Sequence, residues 1–193
     1  MIEKALDVLR AKILEFLKQQ PELSVQSEEK IQLQPLPAQD SNNTIPKDIL
    51  CMTLVNIEEE RVFKSNQTKM TDNSGKIITV NPEIKLNLYL LISSHFDKYT
   101  TGLNFLSAVI RFFQTNYVFT RENTPSLNSE IEKLIVELYT LDFEQQNHLW
   151  GALGSRYLPS VMYKVRLLRV QEQQTASRQE PTKVLDIFDD KSE

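Results

Sequence analysis

Near the start of the chain, apolar residues recur at Ile2, Ala5, Leu6, Leu9, Ile13, Phe16 and Leu17, with charged residues between them. That i, i+3, i+4, i+7 spacing predicts an amphipathic helix over 2–18. Gln19-Gln20-Pro21 ends it, because proline disfavours α geometry in the residue before it. A short strand is expected around Ile31 and Leu33, and the polar run 38–46 reads as a loop. From Ile49 to Ile57 both alternating faces are apolar, with Ile49, Cys51 and Val55 against Leu50, Met52 and Leu54. This pattern predicts a strand covered on both sides. Residues 64–76 are polar and read as a second loop. After Pro82, Ile84, Leu86, Leu88 and Leu90 alternate with Lys85, Asn87, Tyr89 and Leu91, as in a half-buried strand.

The second half repeats the alternation of helix and strand. Over 100–116, Leu103, Leu106, Ile110 and Phe113 form one apolar stripe and Phe105, Val109 and Phe112 another. A helix apolar on so much of its circumference must be covered twice. The sheet supplies one cover, and either a second helix or a neighbouring subunit supplies the other. Phe105, Val109 and Phe112 are therefore candidate subunit-interface residues. Tyr117-Val118-Phe119 reads as a short strand and Asn123-Thr124-Pro125 as a turn, and Leu134, Val136 and Leu138 alternate in a further strand. Asp142 and Gln145 stand at capping-box spacing before a short helix through Leu153, with Gly154 placed to end it. After Pro159 a last strand carries Val161, Tyr163, Val165 and Leu167.

From Gln171 the apolar period disappears, which predicts an extended or disordered arm over 171–193 after a single α+β domain over 1–170. Within the arm, Val184-Leu185-Asp186-Ile187-Phe188 is an apolar patch that a solvated linker does not need. Such a segment suits addition to the sheet edge of a partner, or folds back on its own domain. Val184, Leu185, Ile187 and Phe188 are the candidate partner-binding residues.

Charge narrows the partners. The 193 residues carry a formal net charge of -4, so no global basic field gathers nucleic acid or an anionic membrane. No apolar run approaches the roughly 20 residues of a membrane helix. Charges interrupt the first apolar segment, so a signal-peptide core is not expected there. Cys51 is the only cysteine, so no intramolecular disulfide forms, and a reducing compartment fits.

The residues for chemistry are present but scattered. Ser93-Ser94-His95 with Asp97 has the residue types of a hydrolase triad, yet sequence neighbours rarely converge and no Gly-x-Ser-x-Gly elbow occurs. His148 is the only other histidine, and with Cys51 it makes no metal-ligand spacing. Gly151 to Arg156 lacks the Lys-Ser/Thr end of a phosphate loop and follows a helix instead of opening one. Glu58-Glu59-Glu60 reads as a solvated strand end. No catalytic, cofactor or metal residue is assigned.

Several strings in order resemble one family. They are the helix from Met1 to Leu17, Leu54-Val55-Asn56-Ile57-Glu58-Glu59-Glu60-Arg61, Asn81-Pro82 with Leu86 to Leu91, and Leu103 to Ile110. The fullest runs from Ile131 to Arg166 and includes Asn147-His148-Leu149-Trp150-Gly151-Ala152-Leu153-Gly154 and Tyr157-Leu158-Pro159-Ser160-Val161. Over about the first 170 residues the chain resembles the cap, or tail-terminator, proteins of extracellular contractile injection systems. The resemblance implies an α+β fold with a mixed sheet flanked by helices, similar to contractile-phage tail terminators. It implies a non-enzymatic, structural role in assembly: a hexameric ring on the last layer of the inner-tube protein, touching the sheath protein. Assembly in a bacterial cytoplasm and residence at the distal end of the particle follow. Contact with sheath through 171–193 is inferred from the arm's own composition. Two other readings stand beside the cap: a monomeric adaptor or chaperone for another tail component, and an enzyme on cell wall or nucleotide, which would need a pocket of clustered titratable groups.

Overall fold

A computed structural model describes residues 1–25, 27–36, 46–60, 69–71, 77–80, 85–169 and 173–174. They belong to two compact units, one of 1–65 with 83–170 and a smaller one of 66–82 with 171–193.

The larger unit opens with α1 (Ile2–Lys18), whose apolar stripe buries Ala5, Leu6, Leu9, Ile13 and Leu17. The short strand β1 (Ile31–Leu33) runs parallel to β2 (Ile49–Glu59). In the smaller unit, β3 (Lys69–Thr71) and β4 (Ile77–Val80) form an antiparallel pair. The chain continues with β5 (Lys85–His95), α2 (Tyr99–Thr115), β6 (Val118–Thr120), β7 (Ile131–Tyr139), α3 (Phe143–Leu153) and β8 (Ser160–Arg169). Gln173–Gln174 forms β9, which pairs with β4 through Thr79 and Val80.

The six-stranded sheet of the larger unit has the order β1-β2-β5-β8-β7-β6. Only the β1–β2 pair is parallel, so the sheet is mixed as expected. Helices α1 and α2 cover one face. Their side chains and Leu50, Met52, Leu88, Leu90, Ile92, Val136, Tyr163 and Val165 make the main core. Phe16 of α1 meets Phe112 of α2 at 5.4 Å between ring centroids, and Phe113 meets Tyr163 of the sheet at 4.5 Å. The second cover on α2 is thus α1. Helix and strand come close at Gly102, where a Cβ would run into Ser94 Oγ.

The other face carries a smaller apolar cluster of Leu36, Cys51, Leu91, Trp150 and Met162 under α3. This second cover explains one departure from the sequence pattern. β5 reads as half-buried, yet Leu90, Leu91, Ile92, Ser93 and Ser94 are all buried, because α2 lies on one side of them and the α3 cluster on the other. Two further expectations change. The polar stretch 64–76 contains the strand β3, and Gln173–Gln174 pairs as a strand within the expected arm. Neither dipeptide-scale signal is visible locally, since both strands exist only through pairing with β4.

Candidate interaction surface

The residues that first suggest chemistry are engaged in structure. Ser93 and Ser94 are buried on opposite faces of β5. His95 Nδ1 donates to the Pro46 carbonyl oxygen at 2.8 Å, and Asp97 forms an exposed ion pair with Lys47 at 2.9 Å. His148 is exposed on α3. Burial pushes the Cys51 thiol upward, away from thiolate character. Among the described residues no group of three or more His, Cys, Asp or Glu could hold a metal ion.

The expected interface residues are a correction. Phe105, Val109 and Phe112 are buried inside the chain itself, with Phe105 stacked on Phe96 at 4.6 Å and Phe112 packed between Phe16 and Phe119. A side chain already enclosed by α1 and the sheet has no area left to give a neighbour. The apolar residues that α2 leaves in solvent are Tyr99, Leu103 and Ile110, from the other side of the helix. Their i, i+4, i+11 spacing was a detectable signal, hidden because Leu103 and Ile110 share a stripe with the buried Leu106 and Phe113. Val184, Leu185, Ile187 and Phe188 lie outside the described residues.

A second exposed apolar surface forms where β7 hands over to α3. Asp142 caps α3: its side chain accepts from Gln145 N at 2.8 Å, and Gln145 Oε1 accepts from Asp142 N at 3.2 Å. Gly154 ends the helix in the left-handed region at φ 61°. This short helix is anchored by Trp150, which meets Tyr157 edge-on at 5.5 Å. Its first residue, Phe143, is 90% exposed, and Leu138 and Tyr139 beside it are exposed as well. A cleft of about 260 Å³ is lined by Leu138, Tyr139, Leu141, Leu149, Trp150 and Met162. A neighbouring hollow of about 250 Å³ extends it past Tyr139 and Tyr89 to Val55. Tyr89 and Tyr139 touch edge-to-face at 5.1 Å, and Tyr89 donates its hydroxyl hydrogen to Glu58 at 2.7 Å. That bond, with some burial, pushes the Tyr89 hydroxyl up to about 12. Such a phenol neither gives nor takes a proton near neutrality. The lining suits apolar side chains and backbone of a partner, not acid–base chemistry.

The mixed sheet thus has one closed face, one half-covered face and large apolar residues exposed at its rim, a surface of the kind that marks interaction sites. The chain belongs to the Pvc16 N-terminal domain family, whose family model matches residues 6–183. In fold it is similar to a sheath/tube terminator, in the extended state, of the extracellular contractile injection system PVC, with a TM-score of 0.60 and 16% identity. That alignment covers 100% of this chain, and the chain spans 64% of the terminator's length. The tube-terminating cap of the anti-feeding prophage aligns over 74% of this chain and 49% of its own, with a TM-score of 0.43 and 14% identity. No protein with a curated description matches the chain in sequence. Among the described residues no helix is long and apolar enough to cross a membrane.

Proposed function

We propose that this chain is the cap that terminates the inner tube of a contractile injection particle. The observation that carries this reading is membership of the Pvc16 N-terminal domain family over 6–183. The fold shared along the whole chain with a sheath/tube terminator supports it. In this reading six copies close into a ring on the last tube layer and stop its growth. The role is structural and needs no catalytic group; the engaged Ser93, Ser94, His95 and Asp97 are consistent with that. Apolar contact comes from Phe143, Leu138 and the cleft behind them, and sheath attachment from the Val184 to Phe188 segment.

The test is deletion of the chain from cells that make the particle, followed by electron microscopy of tube length and of a labelled copy restored to the cells. A cap gives uniform tubes with label at one end, and tubes of scattered length without it. Unchanged tube length, or label spread along the particle, refutes the reading. Removing residues 175–193 keeps β9 and tests the sheath step separately. The shortened chain should still terminate tubes while sheath detaches at that end, and sheath retained as in the full chain refutes the arm's role.

A further inference from the structure

Both edges of the six-stranded sheet are stepped. At one edge the three residues of β1 cover only Leu50 to Met52 of the 11-residue β2. At the other, the three residues of β6 cover only Lys133 to Ile135 of the nine-residue β7. Among the described residues no strand lies on the outer side of β2 at Ile57 or on the outer side of β7 at Leu138.

The hydrogen bonds reveal which backbone groups face outward there. Val136 N donates to Tyr117 O on the β6 side, so by alternation Leu138 also turns its N–H and C=O outward. On β2 the bulge between Leu54 and Asn56 resets the alternation. Glu60 N donates inward to Lys85 O, which leaves Ile57 facing outward. Ile57 stands opposite Leu88 and Leu138 opposite Tyr163, both in the main core, so Ile57 and Leu138 emerge on the same face of the sheet. They are 48% and 58% exposed. The two edges thus match in backbone parity, in face and in apolar character.

Charge agrees. On the face toward α3, the β7 edge region holds Lys133, Lys164 and Arg166 against one carboxylate, Glu137, which Arg166 already binds at 2.9 Å. The β2 edge holds Glu58 and Glu60 on that face. Lys164, cross-strand from Glu137, has no carboxylate of its own among the described residues.

We propose that copies of this chain join head to tail by strand addition, the outer edge of β2 at Ile57 in one copy pairing antiparallel with the outer edge of β7 at Leu138 in the next. A cyclic arrangement repeats one orientation, and β2 and β7 run in opposite directions, so the new pair is antiparallel. Glu58 of one copy then stands directly opposite Glu137 of the next, with Lys164 and Arg166 one strand further in to offset the two carboxylates. β6 stops the pairing at one end, and at the other the chain leaves the sheet at Thr140 toward α3, which makes room for the neighbour's β1. Strand addition satisfies backbone groups that a flat exposed edge would offer to any strand. The proposal rests on the ring-forming cap reading and adds the surface that closes the ring.

The test uses the full chain on assembled particles with Glu58→Cys and Glu137→Cys, a non-hydrogen-bonded pair whose side chains approach closely. Oxidation should turn the double variant into a ladder of covalent multimers on a non-reducing gel, while each single variant stays monomeric. Leu138→Pro removes only an outward N–H, which an edge tolerates, so it should keep the melting profile yet yield no ladder when added to the double variant. No ladder from double-variant protein that still sits at tube ends overturns strand addition and leaves the cap reading standing. Dimers from a single variant overturn the head-to-tail arrangement. Absence of even the unsubstituted chain from tube ends overturns the cap reading, and this inference with it.

Discussion

Phe112→Ala separates core from interface on α2. The ring is 5% exposed and touches Phe16, Phe113 and Phe119 at centroid distances of 5.4, 5.0 and 6.3 Å. Truncation removes the ring's transfer free energy and leaves a cavity between two helices and the sheet, so the expected cost is about 3–5 kcal/mol. Against a total stability of about 5–15 kcal/mol, that is a large fraction. With a urea m-value of about 2 kcal/mol/M, the unfolding midpoint should fall by roughly 2 M. Leu103→Ala and Ile110→Ala, on the exposed side of the same helix, should each cost about 1 kcal/mol or less, because much of each side chain stays in water. The assay is urea unfolding followed by circular dichroism, with native mass measured on the same samples. If Phe112→Ala keeps the wild-type midpoint and only changes native mass, the ring faces a neighbour and the assignment to the core is wrong.

Three further perturbations test local features. Asp142→Ala removes the capping box of α3 and should cost about 1 kcal/mol, read as a lower unfolding midpoint, while an unchanged midpoint would mean that Trp150 alone holds the helix. Gly102→Ala drives a Cβ into Ser94 Oγ and should lower the melting temperature, and Ser94→Ala in the same chain should restore part of the loss; additive effects in the double variant would refute the contact. Tyr89 has its pKa raised from 10.0 to about 12 by its bond to Glu58 and by burial. A raised folded pKa means stability fully present below about 10 and lost as pH climbs through about 12. The stability gap between the wild type and Tyr89→Phe should therefore shrink across that window, and a gap independent of pH from 9 to 12 (about three units) would refute the Tyr89–Glu58 bond.

Much of the fold was legible because its local signals are strong. Asp142 and Gln145 spell the capping box that forms, Gly154 takes the left-handed turn, and the two-sided apolar run from Ile49 marks a strand that α1 and α2 cover on one face and the α3 cluster on the other. The failures are all long-range. The order β1-β2-β5-β8-β7-β6 places strands together that are far apart in the chain, and no local period encodes such neighbours. Lys69–Thr71 and Gln173–Gln174 lack apolar alternation and become strands only against β4. For α2, periodicity showed that two covers were needed but could not tell α1 from a second molecule. The aromatic contact between Phe16 and Phe112 decides that point.

This resolution of α2 moves the burden of assembly elsewhere. A cap must bind copies of itself and the tube end without a buried catalytic centre to organise it, so its contacts must come from surface that folding leaves open. Folding closes the α1–α2 face almost completely, with Leu9, Ile13, Leu17 and Val109 fully buried. The opposite face closes only around Trp150 and stays open along Tyr89 and Tyr139, and the outer strands of the sheet are only partly covered among the described residues. A short helix is the reason: α3 has 11 residues against 17 in each of α1 and α2, and one buried anchor against seven in each. Lengthening α3 or covering the edges would stabilise the isolated chain and remove the apolar and backbone groups through which a ring could close. If the chain is a ring-forming cap, assembly would therefore depend on the incomplete layer, while the complete layer keeps the chain itself folded.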